Sequence, residues 1–470
     1  MPCAKRTMIV TLGLLSAMIW SVTNAADQPN ILLIVADDMG YGDPGCYNAD
    51  SKIPTPHIDR LAQQGMRFTD AHAAASVCIP SRYALLTGRY PFRRRMHERQ
   101  EAVIEANRLT VPQMLRTAGY TTAMVGKWHL GFDEGASYQV AEQLFGGPVD
   151  RGFESWFGIH TSLDFEPYYY TRNRTPVQMP TASTPDSASE GWSPIQGAFW
   201  RAGRRAPDFH HQDVTPKFTD EAVAYLQNRS PADANPFFLY VAFPSPHTPW
   251  VPTEDFSGKS QAGLYGDFAL QVDAMIGRIL QTLDSQGLSD NTLVIFTSDN
   301  GPVWLAENVQ QYSHHSAGPL KGMKGDAWEA GHRLPFIVRW PSHVEPNSTS
   351  DQLICFTDVL ATLADVTGVE TAAGQAEDSI SFLPTLQGEP NKNARRTWRW
   401  GSGDFRVIRQ DQWKLITGLG SGGFSQPKRI QPAPDGPQGQ LYDLANDLGE
   451  TNNLWLEKPE ILQRLLTLED

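Results

Sequence analysis

Four short, largely apolar runs constrain the fold most, because each is followed at once by polar side chains. They span residues 31–36, 119–125, 236–243 and 292–297. A run without regularly alternating polar positions is typical of a strand that is covered on both faces. In open α/β sheets, ligands bind beyond the carboxyl ends of such strands. We therefore expect the polar residues after the four runs to converge on one edge of a sheet.

The residues that follow these runs are suited to binding a metal ion and an anion. They are Asp37 and Asp38 after the first run, Lys127 and His129 after the second, His247 after the third, and Asp299 and Asn300 after the fourth. Carboxylate and amide oxygens suit a hard cation such as calcium or magnesium. An Asp-Asp pair beside glycine is also common in solvated turns. A second strand end rich in oxygen ligands favours the metal interpretation.

A further motif runs from Cys78 to Gly88. Pro80 suits the first turn of a helix, and Gly88 is a plausible end for it. Cys78 would then lie beside free backbone N–H groups that attract an anion. Arg82, one turn along, adds a fork of donors that fits a tetrahedral oxyanion. The alternative is a buried structural cysteine next to an ordinary helix.

The string Cys-x-Pro-Ser-Arg-x-x-x-Leu-Thr-Gly, which begins at Cys78, resembles the signature of the type I sulfatases of the alkaline phosphatase superfamily. It matches that signature at every specified position. The resemblance implies that Cys78 is oxidised after synthesis to formylglycine by a maturation enzyme. It also implies that the hydrated aldehyde is the nucleophile of a sulfuric ester hydrolase, with Arg82 stabilising negative charge.

Other segments resemble further elements of the same family. The Gly-Lys-Trp-His string implies that Lys127 binds sulfate and that His129 acts on the hydrated aldehyde. The His-x-Pro element implies that His247 assists the leaving group. The segment around Lys324 resembles a Gly-Lys-Gly element whose lysine contacts sulfate, and Ser162 corresponds to a hydroxyl near the nucleophile. The resemblance also implies a metal site of Asp37, Asp38, Cys78, Asp299 and Asn300, with calcium preferred over magnesium.

The chain departs from the family pattern at two positions. His57 stands where Asn is more usual, and we interpret it as a helix cap. Asp326 stands where Thr is more usual, and an acid so near Lys324 weakens the sulfate-binding interpretation of that lysine. Lys321 is a neighbouring candidate.

The resemblance implies a large α/β domain with a mixed, mostly parallel central sheet flanked by helices, over residues 26–390. A small C-terminal α+β subdomain with an antiparallel sheet would follow over residues 391–470. Residues 1–25 have the basic start, short apolar core and small-residue cleavage region of a signal peptide. We therefore predict an exported protein, periplasmic or secreted, with no membrane span once the signal is removed.

The composition limits the classes of molecule that the protein is expected to bind. The 470 residues carry a formal net charge of −13, which argues against nucleic acid as a partner. Of the four cysteines, Cys46 and Cys355 could pair, and the sequence leaves this open. Residues 168–213 are predicted to be a loop insertion rich in aromatic residues and arginines. Such loops either form sugar and anion subsites or pack over the sheet.

The predicted function is hydrolysis of a sulfate ester, on a sulfated carbohydrate or a small molecule, with a sulfated oligosaccharide favoured. A phosphonate monoester hydrolase or phosphodiesterase of the same superfamily is the nearest alternative, because it can share the signature. A catalytically silent protein that binds sulfated glycans is a second alternative, and a purely structural exported protein is a third.

Overall fold

The structure, a computed structural model, describes residues 28–94, 102–133, 140–402 and 404–468. The predicted signal peptide, residues 1–25, lies outside the described residues. Within the described ranges, eighteen strands are distributed over four sheets. In chain order they are β1 Asn30–Asp37, β2 Met66–Phe68, β3 Ala71–His72, β4 Thr121–Lys127, β5 Ser155–Ile159, β6 Thr171–Arg172, β7 Thr175–Pro176, β8 Ala182–Thr184, β9 Gly203–Arg205, β10 Phe237–Pro246, β11 Thr292–Ser298, β12 Phe336–Arg339, β13 Ser348–Ser350, β14 Ile354–Cys355, β15 Thr397–Ser402, β16 Phe405–Gln410, β17 Trp413–Ile416 and β18 Gln440–Asp443.

The central sheet has ten strands in the order β13-β2-β12-β11-β1-β10-β4-β5-β6-β7. Its core, β11-β1-β10-β4-β5, is parallel throughout, and β12, β6 and β7 add antiparallel pairings at the two sides. The four apolar runs of the sequence form β1, β4, β10 and β11. The apolar residues of β1, β10 and β11 are almost wholly buried, as expected of strands covered on both faces. The predicted mixed, mostly parallel sheet is confirmed.

Helices pack on the central sheet and on the C-terminal sheet. They are α1 Pro56–Gln63, α2 Cys78–Thr87, α3 Val111–Thr117, α4 Val214–Gln227, α5 Gly263–Ser285, α6 Ala306–Tyr312, α7 Asp358–Thr367, α8 Leu383–Leu386 and α9 Pro459–Leu466. The prediction for α2 is accurate at both ends, since Pro80 lies in its first turn and Gly88 ends it in the left-handed conformation, with φ of 65°. The helix itself begins at Cys78.

The C-terminal part of the chain folds into an antiparallel sheet in the order β15-β16-β17-β18, with α9 packed on β16 and β17. The predicted small subdomain with an antiparallel sheet is confirmed. The stretch predicted to be a loop insertion contains more regular structure than expected. β6 and β7 extend the central sheet, and β8 pairs with β9 as a separate hairpin.

The three cysteines of the described residues do not form a disulfide. Cys46 and Cys355 are both free thiols. Burial raises the pKa of each, to about 11 for Cys355, so both are protonated at neutral pH. In the described part of the chain, no helix has the length and apolar character needed to cross a membrane.

Candidate active site

The polar residues predicted to follow the strands lie together at the carboxyl edge of the parallel strands. Asp37 is the last residue of β1, and Lys127 is the last residue of β4. His247 directly follows β10, and Asp299 directly follows β11. Cys78, the first residue of α2, faces the same place and is only 8% exposed. Parallel pairing of the strands in register is what brings these distant residues together.

The inner half of the site is a buried network of ion pairs. Lys127 Nζ lies 2.5 Å from Asp37 Oδ2 and 2.6 Å from Ser162 Oγ. Arg82 Nε donates to Asp299 Oδ2 at 2.8 Å, and its Nη2 lies 3.5 Å from Asp37 Oδ2. Arg82 Nη1 also donates to the main-chain oxygen of Lys127 at 3.1 Å. These contacts fix the orientation of the Lys127 and Arg82 side chains.

The outer half is organised around Asp38, whose backbone is in the left-handed region with φ of 65°. Asp38 Oδ1 accepts hydrogen bonds from Asn300 Nδ2 and Lys324 Nζ, both at 2.6 Å. His247 Nε2 lies 3.8 Å from Asp38 Oδ2, and its Nδ1 faces the carbonyl of Thr248 at 2.5 Å. Lys324, which the sequence left in competition with Lys321, therefore belongs to this cluster.

Burial and charge set the protonation of the acids. Burial would raise the pKa of Asp37, but Lys127, His247 and Arg82 hold it well below its usual range. Burial and the charge of Asp37 raise the pKa of Asp299 to about 6. Burial is also the main cause of a raised pKa for Asp38. Three carboxylates this close repel one another, so a cation between them would stabilise the ionised forms.

Burial also acts on the basic and sulfur groups of the site. It lowers the pKa of His247 to about 4, with Lys324 acting in the same direction. It lowers the pKa of His129 far below the usual value, helped by the charge of Lys127. Burial raises the pKa of the Cys78 thiol, against the pull of Lys127 and Lys324. An unmodified Cys78 is therefore a protonated thiol and a weak nucleophile at neutral pH.

The donor set fits a hard divalent cation. Within the described residues, Asp37 Oδ1 and Asn300 Oδ1 are buried oxygens without a hydrogen-bond partner. One ligand atom each from Asp37, Asp38 and His247 lies within 4.8 Å of the others. Unpaired carboxylate and amide oxygens that are held close together are the ligands that calcium and magnesium prefer. The oxygens alone allow either ion.

A cavity of about 770 Å³ opens in front of this network. Cys78, His129, Ser162, His247 and Lys324 all line it. Cys78 thus forms part of the wall of a cavity that is large enough for a small sugar.

The two departures from the family pattern have separate explanations. Asp326 turns away from Lys324, since its carboxylate accepts hydrogen bonds from the main chain of Phe424 and Ser425 at 2.7 and 3.0 Å. Lys321 donates to the main-chain oxygen of Glu450 and lies over the Trp328 ring, outside the cavity. The interpretation of His57 as a helix cap is wrong.

His57 lies inside the first turn of α1, and Thr55 occupies the N-cap position, where its side chain makes no capping hydrogen bond to the helix. Asp273 of α5 accepts the N–H groups of His57 and Ile58 instead, at 3.1 and 2.8 Å. The orphan donors of α1 are therefore satisfied from another helix, which no local pattern could reveal.

Several residues of the cavity were not predicted as site residues. Tyr265 of α5 lines it and donates to the main-chain oxygen of Asp38 at 3.0 Å. Trp400 and Phe424 come from the C-terminal sheet region and also line it. From the stretch 168–213, Tyr168 is buried in the core, whereas Arg201 lines the cavity. This stretch therefore contributes residues both to the core and to the wall of the cavity.

Two family models match the chain. The model described as Sulfatase matches residues 29–369, and the model described as N-sulphoglucosamine sulphohydrolase, C-terminal, matches residues 324–468. Together they span the central sheet, the cavity and the C-terminal sheet.

Similar proteins carry related names. The chain is 34% identical over 480 residues to N-acetylgalactosamine-6-O-sulfatase of Bacteroides thetaiotaomicron, an alignment that covers 94% of this chain and 93% of the relative. It is 35% identical over 384 residues to N-acetylgalactosamine-6-sulfatase of Sus scrofa, covering 79% and 68% of the two chains. A solved Bacteroides thetaiotaomicron structure, described with the metabolism of multiple glycosaminoglycans, superposes with a TM-score of 0.80 at 33% identity and covers 94% of this chain and 98% of its own.

Proposed function

The chain belongs to the sulfatase family and is a sulfuric ester hydrolase, and we propose that it removes a sulfate group from a sulfated carbohydrate through a nucleophile made from Cys78. The observation that carries this proposal is the position of Cys78, at the start of a helix and between a charged network and a cavity. The names of the similar proteins support a sugar substrate rather than a small aryl sulfate.

The nucleophile requires a modified Cys78, because burial keeps the unmodified thiol protonated. When oxidised to formylglycine by a maturation enzyme, this residue supplies the hydroxyl of a hydrated aldehyde for attack on sulfur. Arg82, fixed by Asp299 and by the main chain of Lys127, points its charge at the same place. The N-terminal N–H groups of α2 add to the positive potential.

Asp37, Asp38, Asp299 and Asn300, together with the matured Cys78, would hold the divalent cation. When bound, such an ion polarises the sulfate oxygens and the attacking hydroxyl. Calcium is the preferred ion by resemblance to the family. The unpaired oxygens of Asp37 and Asn300 support a divalent cation at this place and do not distinguish calcium from magnesium.

Charge that develops on the sulfate needs donors that are already in place. Lys127 and Lys324 are buried and are held in position by ion pairs with Asp37 and Asp38. Each ammonium group can donate a further hydrogen bond to the substrate while it keeps its carboxylate partner. Ser162, which contacts Lys127, lies beside them in the cavity wall. We assign substrate binding to these three residues.

The two histidines have distinct roles. His247 faces the carbonyl of Thr248 through Nδ1, which leaves Nε2 for the departing oxygen of the substrate. A bound sulfate ester is anionic, so it raises the pKa of His247 from about 4 and favours the protonated form that donates to that oxygen. His129, neutral in its buried position, accepts the proton of the second hydroxyl when sulfate is expelled.

A phosphonate monoester or phosphodiester hydrolase would use the same cavity and the same charges. We favour the sulfate ester because the family model and the named relatives concern sulfatases. The predicted signal peptide supports an exported enzyme that meets extracellular or periplasmic glycans.

The deciding experiment uses protein produced together with a formylglycine-generating enzyme. We expect the peptide that contains Cys78 to have the mass of the aldehyde, and we expect the protein to hydrolyse sulfated sugars faster than the matched phosphate esters. The Cys78→Ala variant should fold normally and lose turnover. An unmodified thiol, alongside a control substrate that is modified in the same cells, or substantial activity of Cys78→Ala, would overturn the proposal.

A further inference from the structure

The cavity contains one carboxylate that the proposed chemistry does not use. Asp164 lies between β5 and β6, lines the cavity and is 5% exposed. Its Oδ2 is bound to Arg201 Nη1 at 2.6 Å. Its Oδ1 is buried and, among the described residues, has no hydrogen-bond partner. A buried acceptor without a hydrogen bond is energetically costly. A ligand that donates a hydrogen bond to this oxygen would therefore bind favourably.

Arg201 is held rigidly beside it. Nη1 donates to the Asp164 carbonyl at 3.1 Å as well as to the carboxylate, and the main-chain N–H of Arg201 donates to the same carbonyl at 3.3 Å. The guanidinium lies 3.9 Å from the centre of the Phe165 ring and 5.1 Å from that of Phe199, which both line the cavity. Stacking of this kind fixes the plane of an arginine.

The other edge of the Arg201 guanidinium faces outward. Its side chain is 44% exposed, and within the described part of the chain all its side-chain hydrogen bonds use Nη1. By contrast, Arg94, which also lines the cavity, donates to the main chain at Ala102 and Val103. Arg201 therefore combines a fixed position with an edge that can still bind an anion in a bidentate manner.

We propose, on the premise that the protein is a carbohydrate sulfatase, that Asp164 and Arg201 form a sugar-recognition pair. Asp164 Oδ1 accepts a hydrogen bond from a hydroxyl or amide N–H of the sulfated ring. Arg201 binds a second anionic group of the substrate, a carboxylate or a further sulfate on the adjoining sugar. The substrate class is thus an acidic sulfated oligosaccharide, and the pair sets specificity without taking part in the bond-breaking step.

The test of Asp164 compares, within each protein, substrates that differ in a single hydrogen-bond donor. kcat/KM is measured for a sulfated monosaccharide and for analogues that each lack one hydroxyl or the amide. In the wild type, one analogue should lose about tenfold to a hundredfold, as expected for a hydrogen bond to a charged group. In Asp164→Asn that selective loss should shrink to a few fold. Because each ratio is taken within one protein, incomplete maturation or reduced stability cancels.

The test of Arg201 compares charges on the substrate. Sulfated disaccharides are used whose second sugar carries a carboxylate, a sulfate or a neutral hydroxymethyl group. The wild type should favour one of the anionic forms by lowering KM, and Arg201→Ala should lose that preference. Arg278→Ala is the matched control, since Arg278 is 46% exposed, is paired with Asp220 at 2.8 Å and does not line the cavity. It should retain the wild-type preference.

The outcomes separate the two proposals. An active wild type whose donor and charge preferences are unchanged in Asp164→Asn and Arg201→Ala overturns the recognition pair and leaves the proposed function intact. A matured wild type that hydrolyses aryl sulfates and no sulfated sugar overturns the proposed substrate and, with it, the pair. If Arg201→Ala does not fold, Arg201→Lys keeps the charge and loses the fork, so it should weaken the preference for the anionic sugar.

Discussion

At the scale of single residues, the site is a set of opposite charges that hold one another in place. Asp37, Asp38 and Asp299 face Lys127, Lys324 and Arg82 in direct contacts of 2.5 to 2.8 Å. All six side chains are buried, so each charge depends on its partners. This arrangement keeps the site in position before substrate arrives, at the cost of unpaired oxygens on Asp37 and Asn300.

Those unpaired oxygens predict a dependence on divalent cations. Removing the cations with a chelator should abolish activity and lower the unfolding temperature, because the buried carboxylates then repel one another. Calcium should restore both, and magnesium less fully. An ion at a hundred times its Kd stabilises the folded state by about 2.7 kcal/mol.

Calorimetric unfolding with and without calcium measures this effect independently of turnover. In Asp38→Asn, which removes one charged ligand, the calcium-dependent shift should be smaller. Full activity and an unchanged unfolding temperature in the presence of the chelator would show that the oxygens do not hold a metal.

At the scale of elements, strand ends and one helix start supply the chemistry, and distant loops complete it. α2 carries Cys78 at its first position and Arg82 one turn later, so one helix orients the proposed nucleophile and a cation. Asp326 attaches a loop of the C-terminal sheet to the central domain. Its carboxylate accepts a hydrogen bond from the main chain of Phe424, which lines the cavity. The departure from Thr at this position thus connects the central domain to the C-terminal sheet.

Asp273 predicts a pH dependence that belongs to the pairing of α1 with α5. Burial raises its pKa from 3.8 to about 7, although the N–H groups of His57 and Ile58 act against this. A carboxyl whose pKa is higher in the folded state stabilises the fold at low pH, and this contribution is lost as the pH rises through about 7. The advantage of the wild type over Asp273→Asn should therefore fall between about pH 4 and pH 7 and stay level above that.

Thermal unfolding of both proteins across this pH range measures the difference. A gap in unfolding temperature that stays constant or widens with rising pH would contradict the assignment of a raised pKa to Asp273.

At the scale of the whole molecule, a buried cluster of charges joins the C-terminal sheet to the central domain. Lys414 of β17 lies 2.9 Å from Glu329 Oε1 and 2.8 Å from Glu450 Oε1, and all three residues are fully buried. Arg409 of β16 binds both oxygens of Asp70 at 2.7 Å. Because Trp400 and Phe424 come from this region and line the cavity, the cluster also holds part of the cavity wall in place.

Replacing Lys414 with Met should be strongly destabilising. It would remove the cation that Glu329 and Glu450 share and leave Glu329 with Arg333 at 3.2 Å. Breaking a buried pair costs about 3–5 kcal/mol. Urea unfolding followed by tryptophan fluorescence measures the loss. Arg396→Ala is the control, since Arg396 pairs with Asp411 on the surface of the same sheet and should leave the unfolding midpoint unchanged. Equal midpoints for Lys414→Met and the wild type would show that the cluster is not needed for stability.

The sequence by itself determined the features that depend on local pattern. The apolar runs identified β1, β4, β10 and β11, and Pro80 and Gly88 marked the start and end of α2. Polar residues directly after these strands could be expected at one edge of the sheet, because parallel strands have their carboxyl ends at the same edge. The fold class and the set of strand-end residues followed from these patterns and from the resemblance to the sulfatases.

Only the tertiary structure decided which residues meet across long stretches of chain. The cap of α1 by Asp273, the turning of Asp326 toward Phe424, the choice of Lys324 over Lys321 and the pairing of Asp164 with Arg201 have no local signature. Each depends on the packing of segments from 37 to 286 positions apart in the sequence. Periodicity and caps are set by neighbouring residues, whereas such contacts are set by the shape of the whole core, which no short stretch of sequence contains.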